Sequence, residues 1–563
     1  MFSESISLGK EYRIRIWKLI LFGLLFLVIA KNVFVGADMD EGYAIAAAYR
    51  IVQGDTLILK MWEPHQTSAI FTAVFIKIFT IFTGGALTYL NLCLRAVYFV
   101  IQALTSYAFY KTLLKVFGRL DNEFAILLSA LFFVTSPKNI YIPEYSNLHI
   151  WFLTGLVLCL LNYYEELSSG NKSYRYVFAA GVFLTFDVLA YPDMAFLYPV
   201  CLAVFFINRK QEKAGFLSEA AAFTIPCVLG AGLFFLYIGM HMSYDDAVYA
   251  IGHILNEESH NQGITEKLSD WGLSFAKEIG IILATILLSV LISRYIKKSS
   301  LIFNLIILNC IFQALYYVFG KGNCQFPLLI YAVPAFLGIY FSEKRICKQL
   351  IAIVIVNFIL VMLLSNWEPA LLNAYFVPGT ILGYAAIQNF YVSEGWQRDE
   401  RLGNISLFVM LITVAFGHVF LLLGGASDHN TLLDVGGIYK SGFRKGILSD
   451  YMSAYRYNSN AEIWKEAVPE GCNVFYVGAS QFYVMFGDNV QASPNTICSY
   501  AYAPSMTDYW RENPERLPDI VVVETEYGDL RDHSEDTYVY KWITGDFGAA
   551  SYEDYPFIRV YRR

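Results

Sequence analysis

The chain has 563 residues, 56% hydrophobic and only 16% charged, against roughly 45–50% and about 25% in soluble domains. A water-soluble core is excluded on composition alone. No basic stripe accompanies the net charge of −7, so nucleic acid binding has no electrostatic footing.

The N-terminal run Ile16 to Val35 follows Lys10, Arg13, Arg15 and Lys18. Its 20 residues exceed the roughly 7–15 of a signal-peptide core, which predicts an uncleaved first transmembrane helix. Further apolar stretches follow near Leu92–Tyr110, Glu123–Pro137, Leu148–Tyr164, Tyr174–Ala190, Met194–Ile207, Phe216–Met240, Glu278–Ile296, Leu301–Phe319, Phe326–Phe341, Leu350–Leu364, Leu371–Tyr391 and Ile405–Leu423. About thirteen spans result. The expected fold class is an α-helical polytopic membrane protein over residues 1–425, with a small extracytoplasmic α/β domain over 426–563.

The apolar stretch Thr67 to Thr83 stands apart. Left uncounted as a span, it makes alternate loops strongly basic: twenty Lys and Arg fall on one side and six on the other. By the positive-inside rule this places the N-terminus in the cytoplasm and the tail outside, with outer loops at 37–65 and 241–277. The stretch itself reads as an interfacial helix over 67–83, with Ile70, Phe71, Val74, Phe75, Ile78, Phe79 and Phe82 at helical spacing. The protein is expected in the cell (plasma) membrane.

The tail is acidic, with 20 Asp and Glu against 12 Lys and Arg after Ala426. Short β-rich runs at Asn473–Val477, Thr496–Tyr502, Asp519–Glu524 and Phe557–Tyr561 alternate with helical candidates Ala461–Val468 and Thr537–Thr544. No glycine-rich phosphate loop is present. The nine cysteines are scattered without C-x-x-C spacing, and Cys472 and Cys498 read as free thiols rather than a pair.

The first outer loop holds the most chemistry. Gly36-Ala37-Asp38-Met39-Asp40-Glu41-Gly42-Tyr43 puts three carboxylates into four residues at a helix exit, where like charges repel and poise a general base or a cation site. The loop runs on through Arg50, Gly54-Asp55 and Trp62-Glu63-Pro64-His65-Gln66 into the interfacial stretch. In the second outer loop Asp245, Asp246, His253 and His260 match no established metal spacing. No obligatory metal or other cofactor is predicted.

That arrangement resembles the GT-C class of glycosyltransferases, specifically the protein O-mannosyltransferase and aminoarabinose transferase family (glycosyltransferase family 39-like). The shared features are an acidic pair, Tyr43-Ala44 opening an Ala-rich helix, the Gly54-Asp55 turn, and a Pro-containing segment before an interfacial helix. Leu94-Arg95-Ala96, Phe117-Gly118-Arg119 and Thr135-Ser136-Pro137 follow in the family's order. Anchored on Tyr43 and Gly54, the family's Asp-Glu pair falls on Met39 and Asp40. Assigning the base to Asp40 therefore takes a one-residue slip, and Asp38 stands as its rival.

The resemblance implies attack by an acceptor hydroxyl on a polyprenyl-phosphate sugar, with inversion, at the outer membrane face. Asp40, with Glu41 and Asp38, supplies the catalytic carboxylates. Lys321, between Gly320 and Gly322 in an outer loop, is the phosphate candidate, with Arg95 second. His65, Tyr43 and Glu144 complete the substrate-binding set. The partners are the polyprenyl-phosphate donor, a glycan, lipid or protein acceptor, and the bilayer. The competing reading is a transporter or an envelope-assembly protein without transferase activity, suggested by Pro192, Pro334 and Pro378 within apolar runs.

Overall fold

The structure, a computed structural model, describes residues 2–137, 140–209, 212–255, 264–295, 300–319, 328–364, 374–394, 397–420, 432–497, 503–526, 529–530 and 537–563. Sixteen helices precede the tail among these residues: α1 (Phe2–Phe34), α2 (Met39–Gln53), α3 (Gln66–Thr83), α4 (Leu90–Val116), α5 (Asn122–Val134), α6 (Tyr145–Ser168), α7 (Arg175–Ala190), α8 (Leu197–Asn208), α9 (Lys213–His241), α10 (Tyr244–Leu255), α11 (Ile264–Tyr295), α12 (Leu301–Phe319), α13 (Leu328–Phe341), α14 (Arg345–Leu364), α15 (Val377–Ser393) and α16 (Gln397–Phe420).

Each of the thirteen apolar stretches expected as spans falls on one of these helices, leaving α2, α3 and α10 as the additional ones. By length and composition seven described helices are able to cross a bilayer, α3 among them, and five shorter apolar helices accompany them. Leu229, Phe235, Leu283 and Leu287 are more than half exposed. Apolar side chains on the outside of a bundle need a solvent other than water, so this is an integral membrane protein.

Close helix contact is built from small residues. A Cβ on Gly383 of α15 would lie 2.1 Å from the Pro334 carbonyl oxygen of α13, so only glycine permits the approach. α13 continues through Pro334 unbroken, and Pro378 sits in the first turn of α15, where a missing N–H costs nothing. Neither proline breaks a span.

The tail carries α17 (Tyr451–Ala467), α18 (Ala503–Glu512), α19 (Tyr538–Thr544) and eight strands: β1 (Gly437–Ile438), β2 (Leu448–Ser449), β3 (Asn473–Val477), β4 (Val490–Gln491), β5 (Ile520–Glu526), β6 (Asp529–Leu530), β7 (Ser551–Asp554) and β8 (Ile558–Arg562). β1 and β2 form an antiparallel pair, and the main sheet runs β4-β3-β5-β8-β7 with β6 on β5. β3 is parallel to β4 and β5, while β8 is antiparallel to β5 and β7. The central strands hold a continuous buried run, Val521-Val522-Val523, as a sheet covered on both faces requires.

Two details differ from the sequence expectation. Thr496 and Ile497 form bends rather than a strand, because Thr496 is drawn to a carboxylate of the first loop; residues 498–502 lie outside the described set. The expected Ala461–Val468 helix begins ten residues earlier, where the Asp450 carboxylate accepts the Ser453 N–H and caps α17. Cys472 is a free thiol, and Cys498 lies outside the described residues.

Candidate active site

The site is assembled where α1 ends, α2 begins and α4 starts back. Gly36 takes φ 79° and donates its N–H to the Leu448 carbonyl of β2 (2.7 Å). Asp38 then caps α2, its Oδ1 accepting the Asp40 N–H at 2.7 Å, and Gly54 closes the helix in the left-handed region at φ 103°. Asp38 is thus the N-cap, Asp40 lies in the first turn, and Glu41 is the third helical residue.

Glu41 and Arg95, both sequence candidates, bind each other. Arg95 donates Nε–H to Glu41 Oε1 (2.7 Å) and Nη2–H to Oε2 (2.7 Å), and Asn91 adds Nδ2–H (3.1 Å). The remaining guanidinium hydrogens go to the carbonyls of Asn32 (3.2 Å), Val33 (3.0 Å) and Gly36 (2.6 Å). Arg95 has five N–H groups, and all five are spent. Both side chains are buried. In this structure the Arg95 donors go to Glu41 and to these carbonyls, and the Glu41 carboxylate clamps α2 to α1 and α4.

Asp40 is half-buried on the same turn, within electrostatic reach of Tyr145. Around Tyr145 the remaining residues gather. The His65 ring stacks on Tyr145 at 3.9 Å and approaches Tyr191 at 5.6 Å. Glu144 is buried and caps α6, accepting the N–H groups of Ser146 (3.0 Å) and Asn147 (2.9 Å). The structure therefore groups Asp40, His65 and Glu144 around one aromatic floor formed by Tyr145, Tyr191 and Tyr375. Lys321 lies outside the described residues.

Tyr43 points elsewhere, hydrogen-bonding to the buried Glu63 carboxylate. Glu63 also accepts the Thr496 hydroxyl (2.7 Å) and N–H (3.2 Å). Burial pushes its carboxyl above the usual range, with Arg50, Thr496 and Tyr43 opposing. Beside it Arg50 donates to Asp55 (2.8 Å) and to the carbonyls of Lys60 (2.5 Å) and Ser493 (3.1 Å), and Arg516 pairs with Asp55. These contacts seam the first loop to the tail. Tyr43 therefore serves the seam.

One buried pair escaped the sequence reading. His149 Nδ1 on α6 lies 2.6 Å from Asp187 Oδ1 on α7, with Asn357 of α14 at 3.2 Å from Nε2. His149 lies under Tyr191 and Tyr375, at 5.5 and 5.0 Å. Asp187 was visible as a charge within a span, but its partner sits 38 positions away on another helix.

Between α9 and α11, His253 of α10 stacks on Trp62 at 4.7 Å and lies 3.8 Å from Asp508 of α18, while Asp246 accepts the Ser243 N–H. His260 lies outside the described residues. Among the described residues no three metal-ligating side chains converge.

Helices α1–α16 with the C-terminal sheet unit have the GT-C membrane fold. Over 97% of both chains the protein is similar to the crystal structure of ArnT from Cupriavidus metallidurans bound to undecaprenyl phosphate, at 13% identity and a TM-score of 0.53. The apo state of that protein aligns at 12% identity over 97% of both chains, TM-score 0.46. Archaeal oligosaccharyltransferase AglB from Archaeoglobus fulgidus, in complex with an inhibitory peptide and a dolichol-phosphate, aligns over 90% of this chain and 69% of its own at 11% identity and a TM-score of 0.44. No family model and no curated protein matches the sequence.

Proposed function

We propose that the protein is a membrane glycosyltransferase that moves a sugar from a polyprenyl-phosphate donor to an acceptor hydroxyl, with inversion, at the outer face of the cell membrane. The observation that carries the reading is the division of labour between adjacent carboxylates. Glu41 is locked by Arg95, whereas Asp40 stands on the same turn within electrostatic reach of Tyr145, the ring on which His65 stacks and which follows the capping Glu144. The bound undecaprenyl phosphate of the similar ArnT structure supports a lipid phosphate as the donor's carrier.

In the reaction the acceptor O–H gives its proton to the Asp40 carboxylate. Its oxygen forms a bond to the anomeric carbon from the face opposite the phosphate. The carbon–oxygen bond to phosphate breaks, and polyprenyl phosphate leaves with the electron pair. His65 and Tyr145 offer a flat stacked surface for a sugar ring or a phosphate ester, and the Glu41–Arg95 clamp keeps Asp40 in place. Lys321 remains proposed as an outer-loop contact for the donor.

Both ends of α3 lie against the tail. At its start, Trp62 N–H bonds the Pro494 carbonyl (2.9 Å). At its end, Gly84 to Thr88 share a cleft of about 840 Å³ with Ser441, Phe443 and Asp488. A helix that begins and finishes at one unit need not cross the bilayer. Val74, Ile78, Ile81 and Phe82 on its exposed side suit a helix lying in the membrane surface. With the twenty-to-six basic asymmetry, this supports a cytoplasmic N-terminus and a tail on the outer side.

The test is sugar transfer from polyprenyl-phosphate donors by the purified protein, with Asp40→Asn beside it. A general base contributes about 10²–10⁴-fold in rate, so Asp40→Asn should lose that much while keeping its melting temperature. A near wild-type rate in Asp40→Asn refutes the assignment, and loss of transfer in Asp38→Asn instead would move the base by two residues.

A further inference from the structure

The last turns of α2 border the cleft that the end of α3 shares with the tail. Asp488 stands in its wall with φ 50°, in a left-handed region that aspartate enters more readily than most residues. Tyr49 of α2 donates its hydroxyl to Asp488 Oδ1 at 3.0 Å. Gln53 adds Nε2–H to the same oxygen at 3.3 Å and to the Asn489 carbonyl at 3.2 Å. Burial and the Asp488 carboxylate push the Tyr49 hydroxyl above its usual range, so it stays a donor. Two donors thus orient the carboxylate through one oxygen, leaving Oδ2 free of protein donors among the described residues.

The remaining walls select what that acceptor-only group would meet. Phe486 is half-buried, its ring stacked on the buried Tyr483 at 5.8 Å, and it gives the cleft a flat apolar side. Lys465 and Glu470 line the cleft as well. With Asp488 they set two carboxylates against one ammonium, an excess of negative charge that repels phosphate and other anions. The volume, about 840 Å³, lies within the roughly 300–1,000 Å³ of small-molecule sites. An uncharged sugar ring suits this lining: it offers hydroxyl hydrogens to the carboxylates, hydroxyl oxygens to the ammonium and a C–H face to the phenyl ring. Tyr49 follows Asp40 by nine residues of helix, about 14 Å along the axis at ~1.5 Å per residue. A ligand unit held here is remote from the reacting hydroxyl, where its binding energy serves to position the acceptor.

We propose that this cleft is a carbohydrate subsite, holding a sugar unit of an uncharged glycan acceptor between Asp488 and Phe486. The proposal rests on the transferase reading and adds to it the chemical class of the acceptor.

The experiment passes the full chain in detergent micelles over immobilised neutral oligosaccharides, phosphorylated oligosaccharides and unglycosylated peptides. Wild type should be retained by neutral oligosaccharides. Asp488→Gly suits the positive φ and removes the carboxylate, while Ala86→Trp fills the cleft from its exposed rim without changing charge. Each should weaken retention at least ~10-fold with the melting temperature unchanged. Equal retention of Asp488→Gly, retention by peptides or phosphorylated sugars alone, or no retention at all overturns the subsite and leaves the transferase reading standing. Neutral sugars held through Asp488 by a protein that transfers nothing from a polyprenyl-phosphate donor would sustain the subsite and overturn the transferase reading.

Discussion

Glu41→Gln separates clamping from chemistry. Wild-type Glu41 and Arg95 are 1% and 2% exposed and joined by two 2.7 Å bonds. Replacing the carboxylate by an amide keeps the size and one acceptor but leaves the guanidinium charged in a buried site. Breaking one side of a buried pair costs about 3–5 kcal/mol. Arg95→Met should cost more, since the carbonyls of Asn32, Val33 and Gly36 lose their donor as well. The double variant Glu41→Gln/Arg95→Met should fall short of the summed single losses by about 0.5–3 kcal/mol, as expected of groups in direct contact. The assay is thermal or denaturant unfolding of the purified protein in detergent, run beside sugar transfer. Because Asp40 is the next residue, Glu41→Gln should also lose rate through displacement, where an error of about 1 Å costs ~10²-fold. Unchanged unfolding together with abolished transfer would refute the reasoning and move the base to Glu41.

Three further outcomes follow from the geometry. Asp38→Ala removes the α2 cap and should cost about 0.5–2 kcal/mol, whereas Asp38→Asn, which still caps, should melt within a few tenths of wild type. A Cβ at Gly42 would meet Phe482 at 2.7 Å and Arg444 at 2.9 Å, so Gly42→Val should loosen the tail from α2, read as faster protease cleavage between the tail and the membrane part. For Glu63, burial raises the folded carboxyl above its ordinary 4.5. A group raised on folding adds stability that is fully present below its unfolded pKa and is lost as pH rises through the folded value. Wild type should therefore lose stability relative to Glu63→Gln as the pH climbs above about 4.5; parallel melting curves across that range would contradict it.

Local signals explain what the sequence made legible. A span is a continuous apolar run, so thirteen stretches could be placed without knowing their neighbours, and each meets a helix. Asp38-Met39-Asp40-Glu41 was recognisable as a carboxylate cluster at a helix exit, but spacing alone could not divide its roles. Glu41 is set apart by Arg95, 54 positions away, and Asp38 by its use as a cap. The strand expected at Thr496 failed for a similar reason, since its hydroxyl and N–H answer to Glu63 rather than to a β ladder. The His149–Asp187 pair depends on α6 and α7 packing side by side. Its histidine looked like any other polar residue in an apolar stretch.

The Asp38–Arg444 contact has a consequence for biogenesis. Arg444 donates to the Asp38 carbonyl at 2.7 Å across 406 positions, and Glu63 meets Thr496 across 433. Residues 38–63 leave the ribosome early, yet the surface that seats them is synthesised only after the last membrane helix. During translation the acidic loop must wait, unseated, while the intervening helices insert. Completion of the site is thus a late, long-range closure, slow for the reason that distant contacts are slow, and a chain released before residue 444 would insert its helices without ever finishing the loop that bears Asp40.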